Sequence, residues 1–193
     1  MPPLFISGCG AIHAELAVYT LALYCVITNS FYAFGVLVNI AERLETFVVE
    51  RNLEARREGR LVLRPCVIKL LGQAALLEAK VSLTLALTND VDVDADYEFA
   101  VEQEFRRLLA KEGRELDSLG SEVWMPVETA YQPLFVGQYV TLLVADSESV
   151  LLSKALKAAR KNRLLLTEYL ASGPSARFLK LAQKYRLDLE QFL

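Results

Sequence analysis

Asp90-Val91-Asp92-Val93-Asp94 alternates acidic and apolar residues at the period of a β-strand. Residues two apart on a strand leave the same face, about 6.5 to 7 Å apart along the backbone, so Asp90 and Asp92 can converge on one hard cation. Magnesium suits such a pair, because it takes carboxylates together with phosphate oxygens and keeps several waters. A site of that kind aligns an in-line attack on a nucleotide phosphate. The same residues would serve equally as an acidic strand end that faces water and guards against edge pairing. An EF-hand loop ranks below both readings, since the glycine of its sharp turn and its terminal bidentate glutamate are missing. A third acid stays open between Asp94, Glu122 and Glu128.

Several elements must position this strand. Val36, Leu37, Ile40, Leu44, Phe47 and Val48 recur at helical spacing and predict an amphipathic helix that ends in the charged stretch Glu54 to Arg60. A strand over Val67 to Leu71 then runs directly into Gly72-Gln73-Ala74-Ala75-Leu76, whose small residues let a helix start close against the strand it has left. Leu83 to Leu87 leads into the acidic strand, and Tyr97 to Glu112, closed by Gly113, is a returning helix. Glu122 to Met125 and Tyr139 to Val144 read as two more strands, so the sheet is expected to be mixed. A helix from Glu148 to Arg163 follows, capped by Asp146 or Ser147, and Gly173-Pro174-Ser175 separates it from short closing helices. That helix has a basic face of Lys154, Lys157, Arg160, Lys161 and Arg163, which is either a solvated surface or a guide for RNA or a nucleotide. Trp124 is either core or a platform for a base.

Composition narrows the chemistry further. With His13 as the lone histidine, His-pair metal sites and distant Ser/His/Asp triads have at most one candidate. Cys9, Cys25 and Cys66 are odd in number and set among apolar or small residues, which suits reduced thiols and a cytoplasmic location. A net charge of -3 leaves any polyanion to be held by a local patch. From Leu16 to Ala41 no side chain is charged, which is long enough for a membrane helix. Thr28-Asn29-Ser30 interrupts that stretch and its tyrosines are scattered through it, so buried elements are expected and a membrane anchor is the alternative.

The order of apolar strand, Gly72-Gln73-Ala74-Ala75-Leu76, Thr88-Asn89-Asp90-Val91-Asp92-Val93 and the lysine helix Leu151 to Lys157 resembles nucleotidyltransferase-fold proteins related to the abortive-infection toxins, in a bacterial branch of that superfamily. Trp124-Met125-Pro126 and Arg177-Phe178-Leu179 fit the same resemblance, which covers roughly Val36 to Leu193. It implies an α/β fold: an apolar N-terminal extension over residues 1–35, a core with a mixed sheet flanked by helices over 36–146, and a C-terminal helical region over 147–193. It also implies transfer of a nucleotidyl group from a nucleoside triphosphate, with Mg²⁺ on Asp90 and Asp92 and the phosphates held by Lys154 and by the turn at Gly72, Gln73 and Thr88. The acceptor would be a hydroxyl of RNA, of a protein or of a small molecule. An inactive regulatory relative, partnered by an antitoxin or by a second copy, is the alternative. Gln73 departs from the pattern, which has glycine or serine there.

Overall fold

The structure is a computed structural model that describes residues 35–193 apart from 86–87 and 118. Most of the uncharged stretch Leu16 to Ala41 therefore lies outside the described residues, and no helix among those described is long and apolar enough to cross a membrane. Val36–Leu193 forms one unit, a mixed α/β fold.

The first helix, α1 (Val36–Arg57), buries the stripe Leu37, Ile40, Leu44 and Val48 that its spacing predicts. Asn52 ties its end to the next segment: its Nδ2 donates to the Leu63 carbonyl at 3.0 Å and its Oδ1 accepts from Leu63 N–H at 2.6 Å. That link satisfies a buried amide and sets where β1 (Cys66–Leu70) begins. α2 (Gly72–Glu78) starts two residues after β1 ends, as its small residues allow.

The main sheet has the order β3-β1-β6-β5, with β3 (Val93–Asp96), β5 (Tyr131–Val136) and β6 (Val140–Ala145). β1 runs parallel to β6 and antiparallel to β3, and β5 is antiparallel to β6. On one face Cys66, Ile68 and Leu70 of β1 and Val140, Leu142 and Val144 of β6 are buried. α1 packs beside this sheet and against α3 (Phe99–Lys111). On the other face Lys69 of β1 sits opposite Asp94 in register and pairs with it at 2.8 Å. Glu45 of α1 anchors the β5–β6 hairpin, because its carboxylate accepts from the backbone N–H groups of Gln138, Tyr139 and Val140.

Three expectations about elements are corrected. The acidic segment is two short strands, β2 (Asp90–Val91) and β3, interrupted at Asp92; β2 pairs in parallel with β4 (Glu115–Leu116) as a separate small sheet. Asp92 thus falls where the chain leaves one sheet for the other. No strand forms over Glu122 to Met125, where a 3₁₀ turn (Gly120–Glu122) leads into irregular chain; the strand is β5, which begins later. β5 contains Pro133, tolerated because this is an edge strand with a register irregularity between Pro133 and Phe135. Finally, the single helix expected over Glu148 to Arg163 is α4 (Ser147–Lys157), a turn, and α5 (Arg163–Ala171). At the break Ala158 leaves helical geometry, with φ -146° and ψ 47°, and its carbonyl accepts from Asn162 Nδ2 at 2.9 Å. A side chain bonding to the backbone in this way competes with the helix ladder. The last helix, α6 (Ala176–Lys184), is capped by the Ser175 hydroxyl, which accepts from Phe178 N–H.

Candidate functional site

A cleft of about 390 Å³ opens between the start of α2, the chain at 122–124, α4 and the turn before α5. Gly72, Asp92 and Lys154 all line it. Asp90, Gln73 and Thr88 are not among its lining residues. Asp90 is exposed on β2, Gln73 is half-buried in α2, and the Thr88 hydroxyl accepts from Asp90 N–H at 3.1 Å, which shapes the entry to the strand.

Gly72 is where the chain turns from β1 into α2, with φ +57°, a region that disfavours a side chain. A Cβ there would overlap the Asp92 carboxylate. The space above this glycine therefore belongs to Asp92, and a phosphate cradled directly on the turn, as the sequence suggested, would have to share it. Gly120 plays a matching part that the sequence reading did not assign. A Cβ at 120 would stand 2.7 Å from the Val93 nitrogen and 3.2 Å from the Asp92 Cα. Two glycines thus press backbone against Asp92 from different directions.

A carboxyl that was not among the residues foreseen, Asp117, neighbours Asp92, although it is not one of the residues that line the cleft. It follows β4, its N–H donates to the Val91 carbonyl at 3.1 Å, and the parallel pairing brings its carboxyl into hydrogen-bond reach of Asp92. Two of the three candidates considered before are engaged elsewhere: Asp94 pairs with Lys69, and Glu128 takes Lys184 and the Tyr185 hydroxyl. Glu122 does line the cleft.

Burial raises the pKa of Asp92, the neighbouring Asp117 and Asp90 raise it further, and Lys154 partly offsets them. Burial lowers the pKa of Lys154, Lys161 adds to this, and the attraction of Asp92 opposes it. Lys154 has no carboxylate within ion-pair distance among the described residues, so its ammonium faces the cleft across a gap from Asp92. An ammonium and a carboxyl held apart at one opening, both partly stripped of water, can grip a ligand that carries anionic oxygens on one side and a cation on the other. The donors around Asp92 are all oxygens, which suits a hard cation. Among the described residues no three His, Cys, Asp or Glu side chains form a closed cage. A magnesium ion that fills its sphere with water and phosphate oxygens needs only one or two carboxylates, so Asp92, with Asp117 in hydrogen-bond reach, fits that ion, whereas the exposed Asp90 lies outside the cleft.

Trp124 stands on the opposite wall. Its carbonyl accepts from the Ser153 hydroxyl, its ring meets Tyr185 edge-on at 5.3 Å, and Lys157 Nζ lies 5.4 Å from the ring centroid. Lys157, Lys161 and Asn162 complete this end of the cleft, the last two only because the helix breaks before α5.

These features define a mixed α/β protein with an oxygen-rich, lysine-faced cleft. Compared with protein-family models, with curated proteins and with solved structures, the chain matches none.

Proposed function

We propose that this protein is a Mg²⁺-dependent nucleotidyltransferase, which moves a nucleotidyl group from a nucleoside triphosphate to a hydroxyl acceptor on RNA, on a protein or on a small molecule. The observation that carries the reading is that Gly72, Asp92 and Lys154, distant in sequence, line one cleft. A second carboxyl, Asp117, stands beside Asp92 in support.

In this reading Lys154, with Lys157 and Lys161 farther out, binds the triphosphate as a row of point charges. Asp92 and its carboxyl neighbours would hold the ion, which supplies neutralisation of charge on the phosphate oxygens. The acceptor oxygen forms its bond to the α-phosphorus as the bond to the bridging oxygen breaks, and pyrophosphate leaves toward the lysines. In this reading Asp117, the carboxyl in hydrogen-bond reach of Asp92, takes the proton of the acceptor hydroxyl. The partly buried walls restrict water at the reacting centre, and catalysis is mainly alignment and electrostatics.

The test is transfer of label from each of the four nucleoside triphosphates, α-labelled, onto total RNA, protein and small-molecule extracts with Mg²⁺ present. Asp92→Ala is expected to remove transfer by at least a hundredfold while leaving the circular dichroism of the fold unchanged. Full activity in that variant sinks the proposal. A second reading, a nucleotide-binding module without turnover, is favoured by the exposed placement of Asp90 outside the cleft. It predicts Mg²⁺-dependent nucleotide binding with no labelled product.

A further inference from the structure

The outer end of the cleft carries groups that the transfer step leaves unused. Glu122, Trp124 and Asn162 line it, next to the Lys157 that serves the triphosphate. The indole is fixed in place, by the Ser153 hydroxyl on its backbone and by Tyr185 at an interplanar angle of 81°. What covers the ring is the ammonium of Lys157, on a flexible stem and in the same cleft as Lys154 and Lys161. A flat aromatic ligand can take the place of that ammonium, while Lys157 follows the phosphates of the same ligand.

Asn162 and Glu122 line this cleft together with Trp124. Asn162 gives one Nδ2–H to the Ala158 carbonyl and has a second N–H and its Oδ1 to offer a ligand. Glu122 is exposed at the rim, and its carboxylate is an acceptor with two oxygens. The Glu122 carboxylate, which can only accept, therefore asks for donors. Among the common bases only guanine places two donors side by side, N1–H and the 2-amino group, matching the two oxygens of a carboxylate. Adenine and cytosine set a ring-nitrogen acceptor beside their amine, and uracil flanks one N–H with two carbonyl oxygens.

Resting on the nucleotidyltransferase reading, we propose that this end of the cleft is a base subsite in which the nucleobase stacks on Trp124 and Glu122 selects guanine, so that GTP is the preferred donor.

The intact chain is titrated with GTP, ATP, CTP and UTP in the presence of Mg²⁺, reading both heat and the fluorescence of Trp124, the only tryptophan in the chain. All four nucleotides are expected to quench the indole, with GTP roughly tenfold tighter than UTP. Glu122→Gln is expected to bring the four affinities within about twofold of each other, and Trp124→Leu to weaken all four about tenfold. Glu122 is exposed, so its variant keeps the test independent of any folding defect in Trp124→Leu. Heat of binding without quenching, or an unchanged order of bases in Glu122→Gln, overturns the base subsite and leaves the transferase reading standing. If none of the four nucleotides binds, the transferase reading falls and the subsite falls with it.

Discussion

Asp92 and Lys154 are each held where the charged form is disfavoured, and the sign of each shift decides what they do to the fold. Asp92 is raised above the ordinary 3.8, by burial first and by Asp117 next, so the folded chain keeps a proton that the unfolded chain has already lost. Stability therefore drains as the pH climbs from about 3.8 through the folded value of Asp92. Lys154 is lowered from 10.5, mainly by burial, so the folded chain gives up its proton first, and stability recovers only as the pH rises toward 10.5. Near neutrality both groups work against the fold, as groups kept for a ligand do. Asp92→Asn should thus raise the melting temperature by roughly 2–4 °C at pH 7 without metal, a small effect because solvent still reaches the carboxyl. In thermal scans the gap to the unaltered chain should widen as the pH rises from about 3.8 through the folded value of Asp92. A melting temperature that falls would mean that the Asp92 carboxylate holds the structure together. The same raised pKa means that a cation must displace a proton, so magnesium-dependent nucleotide binding should weaken as the pH drops through the folded value of Asp92.

At the scale of elements, the cleft depends on how tightly the 3₁₀ turn at Gly120 meets the interruption between β2 and β3. The atoms that a Cβ at 120 would strike are backbone, the Val93 nitrogen and oxygen and the Asp92 Cα, and none can swing aside. Gly120→Ala should cost about 2 kcal/mol, lowering the melting temperature by roughly 5 °C, and should displace Asp92 enough to lose transfer. A variant of unchanged stability and activity would show that the turn has slack. The helices α1 and α3 were legible because their apolar spacing is regular and their buried faces are wide. Asp92 was singled out by the alternation of acids along its strand, whereas Gly72 and Lys154 were named as site residues through the resemblance alone; the structure brings the three to one cleft. Asp117 was not legible, because it reaches Asp92 through a parallel pairing of two residues per strand, and pairing between segments this short leaves no local pattern. The break before α5 was hidden for a related reason. The basic run 154–163 keeps good helix propensity, and the break is a non-helical backbone at Ala158, whose carbonyl takes both the backbone and the side-chain N–H of Asn162. β5 was missed because Pro133 reads as a breaker until the strand is known to lie at an edge.

Across the whole molecule, the position of Lys154 rests on how α4 is held at its start, and α6 supplies the hold. Arg177 donates to Asp146 Oδ1 at 2.6 Å and to Oδ2 at 3.1 Å, and to Glu148 Oε2 at 2.9 Å. It also reaches the Glu128 carbonyl at 3.3 Å, while Ser175, the cap of α6, bonds Glu148 as well. Asp146 is at once the cap of α4, accepting from Ser149 N–H, and the partner of Ala130 N–H at the start of β5. One guanidinium therefore joins the last helix to the junction of β6 and α4. Burial alone would push Asp146 upward, yet Arg177 and the donors of Ser149 and Ala130 hold its carboxyl below the usual 3.8. A lowered carboxylate gives stability that is present above 3.8 and is lost as the pH falls through the folded value. Arg177→Met should cost about 2 kcal/mol at pH 7, discounted for an arginine that is partly in solvent. Urea unfolding at pH 7 and again near pH 3 checks it. The difference between the two chains should shrink at the acid end, because the protonated carboxyl has less to gain from the guanidinium. An equal difference at both pH values would locate the contribution of Arg177 in the packing of its stem, and the carboxylates would then be bystanders to the docking of α6.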